Sequence, residues 1–173
     1  MINKAKVDFI RYSGTYKWTF NYSMILCYLF RKCQLTSGIS NMFFRVIFLF
    51  WKSRKGIEIS SRTNIGEGLY IGHPWGITIN AETIIGRNVN IHKGVTIGQE
   101  NRGKRKGVPT IGNDVWIGIN TTIVGNITIG NDVLISPNSF INFDIPDHSI
   151  VIGNKIIANS EATKGYINNR SLR

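Results

Sequence analysis

The chain is poor in acids: of its 173 residues, 10 are Asp or Glu against 21 Lys or Arg, a formal charge of +11. It has only two cysteines, Cys27 and Cys33, which form no CxxC pair and sit in an apolar segment. That excludes a disulfide framework and points to buried, reduced thiols and a cytoplasmic protein. Apolar runs long enough to cross a bilayer, roughly 20 residues, are absent. The two best candidates, "SMILCYLF" and "MFFRVIFLFW", are far shorter, and Arg45 interrupts the second. Neither is followed by a small-residue cleavage site, so a secretory signal is not expected. A Walker-type loop, a zinc-ligand spacing and a Ser/His/Asp set are missing too, and no metal is expected.

What charge there is lies mostly at the front. Residues 1–56 hold ten Lys or Arg and a single acid, Asp8, together with thirteen of the nineteen aromatic residues. Residues 57–173 hold eleven basic and nine acidic residues and are almost neutral. A basic, aromatic front piece is therefore joined to a neutral body. Such a piece suits an anionic membrane surface, nucleic acid or its own core. Nucleic acid is the poorest of these, because the body carries no basic face.

The body has a period. Isoleucine recurs every six residues at 59, 65 and 71, then at 79, 85, 91 and 97, then from 111 to 141. In seven of these slots the next residue is Gly, and the position four after each Ile is usually small or β-branched. Six fits neither an α-helix nor an uninterrupted strand. It fits a short strand and a turn, repeated, with three sides making a coil of 18. The Ile points inward and stacks on its equivalent in the next coil, which is the pattern of a parallel β-helix. Residues 19–33 and 39–54 read as two helices, with "TSGISN" as the turn between them. The expected layout is a helical segment over 1–56, the coil over 57–157 and a polar tail over 158–173 that frays from "NNRSLR" onward.

The register slips twice. Two extra residues fall between Ile71 and Ile79, just after His73 and Trp75, and eight fall within "QENRGKRKGVPT". Repeat structures expel insertions as loops, often on the working face. The second loop carries Arg102, Lys104, Arg105 and Lys106, either a solvated charge run or an arm for an anionic group. By the count of the repeat, Trp75 falls on an inward slot, so it is expected in the core or as a wall of an acceptor pocket.

The stretch "GIEISSRTNIGEGLYIGHPWGITINAETIIGRNVNIHKGVTIG" resembles the hexapeptide-repeat acyltransferases over roughly residues 57–157. It is most similar to the serine acetyltransferase branch and to the sugar O-acetyltransferases of colanic-acid and capsule assembly. The resemblance implies a left-handed β-helix, acetyl-CoA as donor and homotrimers with active sites between subunits. It makes His73 the general base that takes the proton from an acceptor hydroxyl, which then attacks the thioester directly. A free imidazole titrates near pH 6.5, about where such a base must work. The family places an acid fifteen positions before this histidine to fix its tautomer, and here that position is Glu58. Fifteen residues is three short of a coil, so Glu58 is expected about one strand spacing, ~4.8 Å, below. His92, at a corner slot usually held by Gly, is the other candidate base or an acceptor contact. The family's "GAGA" and "GAGS" appear as "GINT" and "SPNS", so Gly98, Ile119 and Pro137 are assigned to the CoA arm and Lys155 to a CoA phosphate. Trp75 and Lys106 join His92 as candidate acceptor contacts.

For the acceptor, the serine branch has Asp before the histidine and Arg-His-Pro closing the loop. This chain has Gly72 and Gly107-Val108-Pro109, and Lys106, a point charge, substitutes only in part for a bidentate Arg. With only a short front piece as well, the expectation is a sugar hydroxyl in polysaccharide assembly, with serine as the alternative. Met42 to Trp51 are expected to cap the coil, and Lys4, Lys6, Arg11 and Lys17 to face anionic lipid in a peripheral contact at the inner membrane face.

Overall fold

The computed structural model describes residues 4–13 and 21–169. Three helices, α1 (Lys4–Ser13), α2 (Tyr22–Leu35) and α3 (Gly38–Ser53), precede a coil of short strands. Asn21 begins α2 by accepting the N–H of Ser23 at 2.9 Å, an N-cap bond. Two helices were expected over 19–33 and 39–54. The second begins at Gly38, inside the expected turn, and α1 is additional. Residues 19 and 20, and Lys17, lie outside the described residues.

The coil has three parallel faces. The first sheet stacks β1 (Glu58–Ile59), β4 (Thr78–Ile79), β7 (Thr96–Gly98), β10 (Thr122–Val124) and β13 (Phe140–Ile141). The second stacks β2 (Asn64–Ile65), β5 (Ile84–Ile85), β8 (Thr110–Ile111) and β11 (Thr128–Ile129). The third stacks β3 (Tyr70–Gly72), β6 (Asn90–His92), β9 (Val115–Ile117), β12 (Val133–Ile135) and β14 (Ser149–Ile152), and ends on the antiparallel β15 (Lys155–Ala158). This is the expected left-handed β-helix of hexapeptide repeats, about five turns long.

In-register pairing puts like on like: Ile59 beside Ile79, Ile71 beside Ile91, Ile97 beside Ile123, Ile111 beside Ile129. Every slot isoleucine from 59 to 141 is buried, as is the residue two before it, from Ile57 to Ser139. Burying one isoleucine is worth ~1.5–3 kcal/mol, so the ladder is the main source of stability. At the corners between the second and third sheets the chain turns on a left-handed residue in each coil, Gly68, Asn88, Asp114, Asp132 and His148. Asn, Asp and His tolerate that conformation better than most side chains.

A stack of parallel coils leaves the backbone of its lowest coil without a strand below. The helices supply the partners. Arg31, buried in α2, donates Nη1 to Ile65 O at 2.8 Å and Nη2 to Gly66 O at 2.5 Å. Its other donors meet the Asp8 carboxylate at 2.8 and 3.3 Å, and Asp8 in turn accepts the N–H of Leu69 at 2.9 Å. Burial pushes the Asp8 carboxyl up, opposed by Arg31 and these backbone N–H groups. Gln34 donates to Thr63 O, Lys52 to Ile59 O, and the Tyr12 hydroxyl accepts from Ile71 N at 2.8 Å.

Arg11 is part of this cap. It was expected to face lipid, yet it is buried, donating to Gly68 O at 3.1 Å and to Asn90 and Asn168. Lys4 and Lys6 are exposed, with Lys4 reaching Ile65 O at 3.3 Å. The expected cap from Met42 to Trp51 is only half realised. Phe48 is buried and Phe44, Ile47 and Trp51 pack on the core, while Met42, Phe43, Val46, Leu49 and Phe50 are exposed on the other side of α3. Among the described residues, no helix is long and apolar enough to cross a membrane. Cys27 and Cys33 are buried and free.

At the far end the expected polar tail packs back. Ala162, Thr163 and Ile167 are buried, and Asp132 accepts from the Thr163 hydroxyl at 2.5 Å and its N–H at 3.0 Å. Residues 170–173 lie outside the described residues.

Replacing Asp8 by Ala leaves Arg31 buried without its counter-charge and frees the Leu69 N–H. Breaking one side of a buried pair costs about 3–5 kcal/mol. Chemical denaturation should show that loss as a lower midpoint, with an unchanged slope.

Candidate active site

The third sheet hands the chain to the first at one long edge of the coil. Between β6 and β7 three residues make this corner, whereas between β3 and β4 five do. The two extra residues create a corner with two left-handed residues, His73 (φ 53) and Gly76 (φ 61). The loop is pinned on both sides: Gly76 donates to Lys55 O at 2.8 Å, and Trp75 O accepts from Gly94 at 2.9 Å. The left-handed conformation itself is shared with the other corners, at Asn120 and Asn138 for example, and the corner is set apart by its two extra residues. The imidazole of His73 is exposed.

Trp75 is not in the core. It is 59% exposed, with Lys55 Nζ 4.7 Å from its ring centre. Counting forward from Ile71 places it inward, but the insertion pushes it out. Ile77, two before Ile79, takes the inward seat and is fully buried.

Glu58 and Gly98 line a cleft of about 800 Å³ between the first sheet and α3, walled by Met42, Arg45 and Leu49. His73 and Trp75 do not line it; they stand on the corner beside it. Among the described residues, no hydrogen bond or ion pair joins Glu58 to His73.

His92 is brought to His73. In-register pairing sets it beside Gly72, and its Nδ1 lies 2.8 Å from the carbonyl of Ile117. A carbonyl can only accept, so Nδ1 carries the proton and Nε2 of the neutral ring keeps its lone pair. Burial lowers the pKa of His92; the Ile117 bond opposes this and the charge of His73 adds to it. His92 also opens onto a cavity of about 260 Å³ on the third sheet, with Arg11, Tyr70, Trp116 and Tyr166.

Ile119 and Pro137 lie on the same edge as His73, at the corners that follow β9 and β12. Ile119 is half-buried and Pro137 exposed. Lys155 follows the β14–β15 turn at the top of that edge. At ~4.8 Å per strand the five steps from β3 to β15 carry the edge roughly 24 Å from His73 to Lys155. Lys106 is elsewhere. Its loop leaves the coil between the first and second sheets, held by paired Glu100–Gly107 bonds of 2.9 Å. Within one chain it therefore lies across the first sheet from His73. Among the described residues, no group of three or more His, Cys, Asp or Glu is placed to hold a metal.

The ring set around His92 was not anticipated. Tyr70 stacks on Tyr12 at 4.6 Å, and Trp116 meets His92 in a tilted contact at 4.7 Å. The signal was available, since Tyr70, Asn90 and Trp116 all sit one before an inward isoleucine and pair in register. Tyr166, which meets Trp116 edge-on, carries no such mark.

Residues 109–142 match the family described as bacterial transferase hexapeptide (six repeats). Over 100 residues the chain is 41% identical to a serine acetyltransferase of Helicobacter pylori, a match spanning 58% of each protein. The chain thus covers little more than half of that relative's length. The serine acetyltransferase isoform 3 of Entamoeba histolytica, solved with cysteine, superposes with a TM-score of 0.69 at 29% identity, over 86% of this chain and 56% of that one. A Neisseria gonorrhoeae serine acetyltransferase solved with serine gives 0.66 at 25%, over 90% and 67%. These findings overturn the expected sugar acceptor and its place in polysaccharide assembly. That expectation leaned on Gly72, on Gly107-Val108-Pro109 and on the short front piece, whereas the likeness extends over 100 residues. The chain carries the hexapeptide repeats of bacterial transferases, and its likeness within them is to the serine acetyltransferases.

Proposed function

We propose that this protein transfers the acetyl group of acetyl-CoA to the hydroxyl of L-serine. The observation that carries the reading is the 41% identity over 100 residues to a serine acetyltransferase. The site is consistent with it. His73 stands exposed on a pinned corner, with room for a hydroxyl to approach. In this reading its imidazole takes the proton as the serine oxygen attacks the thioester carbonyl, then returns it to the departing thiolate. The donor would lie along the His73 edge, against backbone groups near Ile119 and Pro137, with Lys155 at the phosphate end. Gly98, on the first sheet, stands off this edge and is the weakest of the assigned donor contacts.

A homotrimer belongs to the same reading. The exposed side of α3, with Met42, Val46 and Leu49, borders the open cleft against the first sheet and leaves apolar surface to be covered. Lys106, across the first sheet from His73 within one chain, is assigned in this reading as an acceptor contact supplied by a neighbouring copy. Of the four basic residues assigned to a peripheral membrane contact, Lys4 and Lys6 are exposed, Arg11 is spent inside the cap and Lys17 lies outside the described residues.

The test is release of free thiol from acetyl-CoA in the presence of L-serine. Turnover is expected with serine, and its absence rejects the reading. His73→Ala should keep the assembly and acetyl-CoA binding but lower turnover at least ~100-fold, the usual worth of a general base. Near-normal kcat in that variant would place the base elsewhere.

Glu58 is assigned to orienting His73 from the coil below. Glu58→Gln should lower kcat while leaving the KM for acetyl-CoA unchanged. A rise confined to the serine KM would instead make Glu58 an acceptor contact.

A further inference from the structure

Gly72 and His92 fit each other as a pair. A Cβ built on Gly72 would come 2.5 Å from Cδ2 and 2.8 Å from Nε2 of His92. No side chain is accommodated at position 72 unless the ring moves, and the ring is held. Its opposite edge is bonded to Ile117 in the coil above, and the ring meets Trp116 in a tilted contact with centroids 4.7 Å apart. His92 therefore occupies the space that a side chain directly before His73 would fill. The edge it presents there bears the Nε2 lone pair.

That lone pair has no partner among the described residues. Beside it the small cavity offers Tyr70, Trp116 and Tyr166, and no carboxylate lines it. Arg11, in the same cavity, is committed to Gly68, Asn90 and Asn168. Such a surface takes a hydrogen-bond donor. A charged donor makes the stronger bond to the lone pair, working against the like charge of Arg11 in the same cavity. Serine carries one cationic donor, its α-ammonium, two carbons from the hydroxyl. The groups that meet the two must be neighbours, and His73 lies close enough for its charge to act on His92.

We propose that His92 determines specificity for the acceptor: its Nε2 accepts a hydrogen bond from the α-ammonium of the serine whose hydroxyl His73 deprotonates. This rests on the serine reading above. Burial holds His92 neutral, the state in which it can accept. The ring takes no proton from the hydroxyl, so the bond should bear on binding and selectivity rather than on the chemical step.

His92→Asn tests this, because the Asn amide can keep the bond to Ile117 while the Nε2 edge is lost. The KM for L-serine should rise roughly 10–100-fold, as for a lost hydrogen bond to a charged group, with kcat within about 3-fold. The KM for acetyl-CoA should not move. The wild-type preference for L-serine over 3-hydroxypropionate, which keeps the hydroxyl and carboxylate but lacks the ammonium, should shrink by the same factor. Gly72→Ala should also raise the serine KM by displacing the ring, and should add little in the His92→Asn background. An unchanged serine KM and preference in His92→Asn overturns the proposal, while wild-type turnover of serine leaves the broader reading standing. A fall in kcat at constant KM overturns it too, by making His92 a base. Wild-type protein that does not turn over serine removes both.

Discussion

The unpaired backbone of the first coil is the constraint that organises this molecule. Parallel coils satisfy one another's N–H and C=O groups, but the lowest coil has nothing beneath it, and buried polar groups left unbonded cost ~1–3 kcal/mol each. Arg31, Arg11, Lys52, Gln34, Asp8 and Tyr12 are spent on that edge. Part of the excess of base over acid in the front piece follows from this: Lys4, Arg11, Arg31 and Lys52 all donate to carbonyls of the coil. An open strand end offers many carbonyls, and Arg and Lys are the side chains with donors to spare. Asp8, the lone acid, is where one buried cation must be balanced and a backbone N–H accepted.

With its end closed, the stack is free to be regular, and regularity makes the departures informative. A single isoleucine slot repeats through the core while the outward positions vary. The corner at His73 departs by two residues and holds two left-handed conformations where its neighbours hold one. The same regularity that stacks Ile71 on Ile91 also stacks Gly72 on His92. Core order and site geometry are thus set by one register.

The coil and its inward isoleucines were legible in the sequence because each seat is decided within six residues and then repeated. The insertion corner was legible as a place but not in detail. A count from Ile71 seats Trp75 inside, whereas a count back from Ile79 seats Ile77 there, and only the second survives the two extra residues. In the front piece, Arg11 buried against a carbonyl reads in sequence like any surface arginine. α1 was missed because it is ten residues long and buries the charged Asp8 and Arg11 among its apolar residues, which blurs its apolar face. The closeness of His73 and His92 follows from the register of β3 and β6, but the tautomer of His92 depends on Ile117, one coil further up.

The upper end is closed differently. β15 turns back antiparallel on β14, and the tail is tied to Asp132, so the third sheet offers no parallel edge for another coil. With a dedicated piece at each end, the number of coils between them is a quantity the chain can set independently of either closure. It works as a ruler. Each coil is one graduation, and the count from the His73 corner to the β14–β15 turn fixes the span of the edge between them. Adding or removing a coil would spare the core and both ends, yet change the length of any extended ligand that could reach from one mark to the other.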